Sequence, residues 1–118
     1  PMLDRAEFER VEPPKNGESV NIQITDEVTV KLLNDEVAKV TVARSAMSNP
    51  ERLFKLYVEM SAEVLIDKKY YDELAKPEDY FKQTPICRAL ISQISALIAN
   101  LTTNSAIGPM ITAPVVQA

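Results

Sequence analysis

The chain of 118 residues has no histidine, a single cysteine at Cys87 and only two glycines, Gly17 and Gly108. Each shortage removes a class of function. Without histidine the common zinc constellations cannot be assembled from one chain, and a lone cysteine leaves no internal disulfide. Neither a metal nor a cofactor is expected. Two isolated glycines do not build a phosphate-cradling loop, and no nucleophile elbow is present. Nothing in the sequence gives positive support to carboxylate or tyrosine acid–base chemistry, so the chain is expected not to be an enzyme. Charge is the last shortage. From Gln83 to Ala118 there is one charged side chain, Arg88, whose partner the sequence does not reveal.

The charge that is present lies between residues 4 and 82. Residues 1–36 hold nine acids and four bases and residues 37–82 hold eight of each, so the net charge of −4 has its origin at the N-terminus. The lysines and arginines are dispersed among acids, which leaves no basic footprint for a phosphate backbone and argues against nucleic acid as a partner. No basic, apolar and small-residue succession marks a signal peptide, and the expected location is the cytoplasm. The length suits one domain spanning 1–118, large enough to bury a core.

Alternation is clearest from Val20 to Leu32. Val20, Ile22, Ile24, Val28, Val30 and Leu32 alternate with polar residues, the pattern of a long strand with one wet face. Asp26 falls on the apolar parity and is read as a bend or bulge. Asn34-Asp35-Glu36 is a turn, followed by weaker alternation from Val37 to Met47 and a second turn at Ser48-Asn49-Pro50-Glu51. Alternation returns strongly from Phe54 through Leu56, Val58, Met60, Ala62 and Val64 to Ile66. Three long strands joined by short turns make an antiparallel meander, with Met2 to Glu12 as a weaker fourth strand ended by Pro13-Pro14. The acids Asp4, Glu7, Glu9, Glu12 and Glu18 suit an exposed sheet edge that must resist aggregation.

After Asp67 the period changes, and Pro77 divides the next stretch into two short helical turns or one broken helix. Thr84 then reads as an N-cap with Pro85 at the first helical position. The following helix, to about Leu101, carries Ile86, Leu90, Ile94, Leu97, Ile98 and Leu101 in one stripe. Ser92, Gln93, Ser95 and Asn100 interrupt it, so an oligomer interface accounts for the stripe better than membrane insertion. Cys87 is read as a buried structural residue. The fold class that results is α+β: a four-stranded, meander-like antiparallel sheet packed by a short broken helix and a long C-terminal helix.

The order of these elements, with Thr84-Pro85-Ile86 opening the long helix and the string from Ile107-Gly108-Pro109 to Ala113-Pro114-Val115 closing the chain, resembles the SecB protein-export chaperones. The resemblance covers nearly the whole chain and is specific for fold more than for function. It implies a homodimer or homotetramer that holds unfolded polypeptide clients in apolar grooves without nucleotide, either for export or for one dedicated client such as an antitoxin. The chain also departs from the export members. It has no Cys- and His-bearing tail of the kind that docks on the SecA motor, only Glu59 keeps the acidic character of their sheet patch, and Ser61-Ala62 stands where they tend to have a Gly pair. Delivery to SecA is doubtful on these grounds. The groove candidates are Phe54, Tyr57, Val64, Ile66, Tyr70, Tyr71, Tyr80 and Phe81, since flat aromatic faces grip many side chains without shape specificity. The competing reading puts Phe54 in the core and uses the tyrosines to cover an amphipathic helix. The competing function is an oligomeric adaptor or structural domain that binds one folded partner.

Overall fold

A computed structural model describes residues 1–10, 21–49, 54–103 and 109–117. Its elements in chain order are β1 (Met2–Arg10), β2 (Asn21–Leu32), β3 (Val37–Asn49), β4 (Phe54–Leu65), α1 (Lys68–Asp72), α2 (Pro77–Lys82) and α3 (Pro85–Thr102). The expected α+β architecture is present. Strand order in the antiparallel sheet is β1-β4-β3-β2. Thus β2, β3 and β4 form the expected meander, while β1 crosses to lie beside β4, which makes the four strands a Greek key. The predicted turn closes through Asn34, whose Oδ1 accepts hydrogen bonds from the backbone N–H of Glu36 and Val37 at 2.8 and 2.9 Å. Pro13-Pro14, Glu12, Glu18, Pro50, Glu51 and Ile107-Gly108 lie outside the described residues.

The expected bulge at Asp26 does not occur. The β2–β3 ladder runs without interruption from Asn21↔Asn49 to Leu32↔Ala38, with Asp26 directly opposite Arg44. Asp26 occupies the inward parity because an arginine meets it there. The irregularity in the sheet is in β1 instead, between Leu3 and Arg5. The weak alternation of β3 has the same origin, since its buried parity includes Arg44 and Ser48 beside Ala38, Val40, Val42 and Ala46.

One face of the sheet is packed and the other is open. α3 lies on β3 and β4 while α2 lies on β2. Cys87, Leu90, Ile91, Ile94, Ile98 and Thr102 are the buried side of α3, recurring at the three- and four-residue spacing of one helical face. Each large aliphatic side chain buried this way contributes about 1.5–3 kcal/mol. By length and composition α3 could cross a membrane, yet Leu90, Ile91, Ile94 and Ile98 are already buried inside the chain. Thr84 stands at the N-cap position but does not cap with its side chain; its Oγ1 donates to the Phe81 carbonyl at 2.6 Å instead.

The tail returns along α3. Thr102 Oγ1 donates to the Ile98 carbonyl and accepts from the Met110 N–H, each at 2.7 Å, which joins the helix end to the tail. Met110 and Thr112 are buried, whereas Ile111 is 81% exposed.

Burial raises the pKa of the Cys87 thiol, and the Asp26 carboxylate adds to the effect against the opposing influence of Lys82. A thiol with a raised folded pKa stabilises the chain fully below its unfolded value of about 8.5, and that stability is lost as pH rises above it. Two outcomes are expected. Labelling of Cys87 by a thiol reagent at neutral pH should proceed at the rate of unfolding, and urea stability should fall more between about pH 8 and 9.5 than it does in Cys87→Ser. Immediate labelling of the folded chain would contradict the burial.

Candidate functional site

At the end of the sheet nearest the Asn34 turn, the last residues of β4 meet α1 and α2. Asp67 starts α1 by accepting the Lys69 N–H on its carboxylate at 3.1 Å, and Pro77 starts α2 at a position where its missing N–H costs nothing. The two short helices bring Tyr70, Tyr71 and Leu74 against Tyr80 and Phe81, with Leu65 at the end of β4, Ile66 and Asp67 just after it, and Thr84 completing the lining. The result is an open pocket of about 170 Å³. That is smaller than the roughly 300–1,000 Å³ that encloses a small-molecule ligand. It suits one or two side chains of an extended chain.

The pocket has a fixed aromatic frame and a wet rim. Phe81 is buried and packs edge-on to Tyr80, with ring centroids 5.2 Å apart, and Tyr80 in turn meets Tyr70 edge-on at 6.3 Å. Such pairs contribute about 0.5–1.5 kcal/mol each beyond burial, so the exposed rings are held in place. Tyr70 and Tyr80 are nevertheless 57% and 44% exposed, and Leu65 at the edge is 86% exposed. Burial, followed by the carboxylates of Glu78 and Asp72, raises the Tyr71 hydroxyl pKa. Apolar surface left in water on a rigid frame is a surface suited to contact.

The sequence-derived groove set is thus divided. Ile66, Tyr70, Tyr71, Tyr80 and Phe81 converge in the pocket. Val64 packs half-buried against the core, and the Phe54 side chain lies outside the described residues. Tyr57 stands on the open face of the sheet, away from the pocket. Its hydroxyl donates to Glu59 Oε1 at 2.9 Å beneath the Arg5 guanidinium, 4.9 Å from the ring centre. Partial burial, then that hydrogen bond, raises its pKa.

The helix stripe divides as well. Leu90, Ile94 and Ile98 are fully buried in the chain's own core and leave nothing for a partner to touch. Ile86 and Leu97 are half-buried and Leu101 is 39% exposed, so only these three of the six retain surface. Among the described residues no group of three or more His, Cys, Asp or Glu side chains is placed to hold a metal ion.

Sequence reasoning passed over a highly connected residue, Arg44. Arg44 and Asp26 form a bidentate pair with both side chains fully buried, Nε to Oδ1 and Nη2 to Oδ2 at 2.8 Å each. Arg44 Nη1 also donates to Ser95 Oγ, Thr112 Oγ1 and the Ala113 carbonyl, and Nη2 donates to the Val115 carbonyl. Asp26 receives the Gln117 N–H on Oδ2 at 2.6 Å and returns its own N–H to the Gln117 carbonyl at 2.9 Å. The buried charge is therefore Arg44, whereas Arg88 is exposed with Nη2 3.5 Å from the Gln83 carbonyl. A signal for the pair exists in the sequence. In a hairpin turning about Asp35, residues equally distant from the turn face each other, and Asp26 and Arg44 are such residues.

No family model matches the chain, and no curated protein matches it. Among solved structures, it is similar to a SecB-like chaperone from Mycobacterium tuberculosis solved in complex with a ChAD peptide from the HigA1 antitoxin. The TM-score is 0.69 at 16% sequence identity, over 94% of this chain and 84% of that one. The likeness shows a shared fold, and the chain has the SecB-like fold.

Proposed function

We propose that this chain is a holdase, a nucleotide-independent chaperone that binds non-native polypeptide segments in the pocket between β4, α1 and α2. The observation that carries the reading is the exposed, rigid aromatic rim of Tyr70 and Tyr80 above buried Phe81, on a fold shared with a chaperone solved with a bound peptide. An open pocket that combines aromatic and aliphatic surface with Asp67, Thr84 and the tyrosine hydroxyls suits side chains of varied shape. The assembly is a cytoplasmic homodimer or homotetramer. Its clients are either exported proteins or a single dedicated protein such as an antitoxin.

The direct test is suppression of the aggregation of a chemically denatured client at equimolar chaperone. Exposed aromatic anchors contribute about 1–2 kcal/mol each, so the Tyr70→Ala, Tyr80→Ala double variant should weaken client binding roughly 30-fold or more. Its stability should fall by about 1–3 kcal/mol, because both edge-on ring pairs are lost, and binding is therefore compared at temperatures where the variant is folded. Tyr57→Ala, remote from the pocket, should leave client binding intact. Unaltered holding by the double variant would remove the pocket from the mechanism. Binding to a folded partner without any suppression would favour the adaptor reading.

A further inference from the structure

The tail from Ala113 to Gln117 is held almost wholly by its main chain. Ala113, Val115 and Gln117 present their carbonyls at two-residue spacing, the period of an extended strand. They accept from Arg44 Nη1 at 2.7 Å, Arg44 Nη2 at 2.8 Å and the Asp26 N–H at 2.9 Å, respectively. The Asp26 carboxylate takes the Gln117 N–H in return. Ala113, Pro114 and Val115 are exposed, while Thr112, bonded to Arg44 and Ser95, is buried and Val116 packs half-buried against the core. Beyond a small hydroxyl residue at Thr112 and an apolar residue at Val116, these contacts do not depend on the tail's own sequence.

The cradle that makes these contacts is built from the sheet and α3, outside the tail. Asp26 and Arg44 neutralise each other across the β2–β3 ladder, and Ser95 belongs to α3. β2 is an edge strand, and the parity that turns the Asp26 N–H outward turns those of Ile24 and Val28 outward too. Such an edge is a template for an added strand. The cradle and the aromatic pocket share neighbouring elements. α2 packs on β2, and the Cys87 thiol at the start of α3 feels both the Asp26 carboxylate and the Lys82 ammonium at the end of α2.

We infer that the Asp26–Arg44–Ser95 cradle is a second polypeptide-binding site, for an extended uncharged segment with a small residue at the Thr112 position, and that the chain's own tail occupies it as an exchangeable competitor. The inference rests on the polypeptide-binding reading of the aromatic pocket for its role, but not for its chemistry. The Arg44 guanidinium supplies sequence-tolerant donors to main-chain carbonyls, Asp26 fixes the direction of the segment, and the β2 edge continues the ladder. Client binding and tail release are then coupled. A tethered tail acts at an effective concentration near millimolar, so a free segment binding with micromolar affinity is suppressed by a large factor in the intact chain.

The experiment compares the full chain with one ending at Gly108, using a fluorescent peptide of residues 109–118 as the probe. Saturable binding to the shortened chain, weaker by about 100-fold in the full chain, is the expected result. An unrelated extended peptide that is uncharged and carries Thr or Ser should displace the probe from the shortened chain. In the full chain Gln117→Pro, which removes the N–H given to Asp26, should partly restore probe binding. Three results would overturn the inference: a folded shortened chain that does not bind the probe, a probe displaced only by its own sequence, or a shortened chain that does not fold. Failure of the full chain to suppress client aggregation, with the probe still bound by the shortened chain, would count against the holdase reading alone.

Discussion

Arg44→Met is expected to destabilise the folded chain by about 3–5 kcal/mol, since it leaves the Asp26 carboxylate buried with no cation opposite it. That is a large part of the roughly 5–15 kcal/mol by which small domains are stable. The loss has two sources. One is the stranded carboxylate, which keeps only the Gln117 N–H on Oδ2. The other is the tail, whose Ala113 and Val115 carbonyls lose their donors and return to water. The double variant Asp26→Leu, Arg44→Met separates them. Removing both charges eliminates the stranded ion, and a buried pair replaced by apolar side chains is often neutral in energy. The double variant should therefore recover most of the stability while leaving the tail loose. Urea unfolding followed by circular dichroism measures the first effect, and proteolysis of the tail measures the second. A loss below about 1 kcal/mol for Arg44→Met would mean that water reaches the pair in the native state.

Ile94→Ala should cost a comparable amount, about 2–5 kcal/mol, by opening a cavity between α3 and the sheet. The loss should not depend on protein concentration, because Ile94 is buried by its own chain. Leu101 provides the contrast. At 39% exposure, truncation to alanine should cost less than about 1 kcal/mol in an isolated subunit. In the proposed oligomer its effect is on association: Leu101→Glu should lower the mass measured by light scattering, while Ile94→Ala should leave that mass intact at temperatures where the chain is folded. Dissociation by Ile94→Ala under those conditions would assign the stripe to the interface after all.

Much of the fold could be read because its determinants are local. Period-two alternation identifies which residues face the helices: in β4 Leu56, Val58, Met60 and Ala62 are buried, whereas in β2 Val28 is buried, Ile24 and Val30 are half-buried and Ile22 is exposed. The Asn34 turn and the Thr84-Pro85 helix start are local too, each decided within four residues. β3 was less legible because its inward parity carries Arg44 and Ser48, which are polar in composition but inward in geometry. The pocket was legible in part. Tyr70, Tyr71, Tyr80 and Phe81 fall within twelve residues, so two short helices bring them together whatever the rest of the chain does. Tyr57 shares their chemistry but belongs to a strand whose parity sends it to the opposite face of the sheet.

The sequence by itself determined the inward parities of the strands, the charge-poor helix that covers them and the cluster of rings after Asp67. These follow from which atoms avoid water and from steric preferences acting over a few residues. Only the tertiary structure decided that β1 lies beside β4, that three of the six stripe residues are spent inside the chain, and that Asp26 and Arg44 meet where the tail arrives. A buried ion pair has no local signature, because each charge would be excluded from the interior were it not for a partner that the sheet register delivers. The one shortage that stood out at the start, charge after Gln83, takes its meaning from that pair. The tail can lack charge of its own because Arg44 supplies the donors its backbone needs.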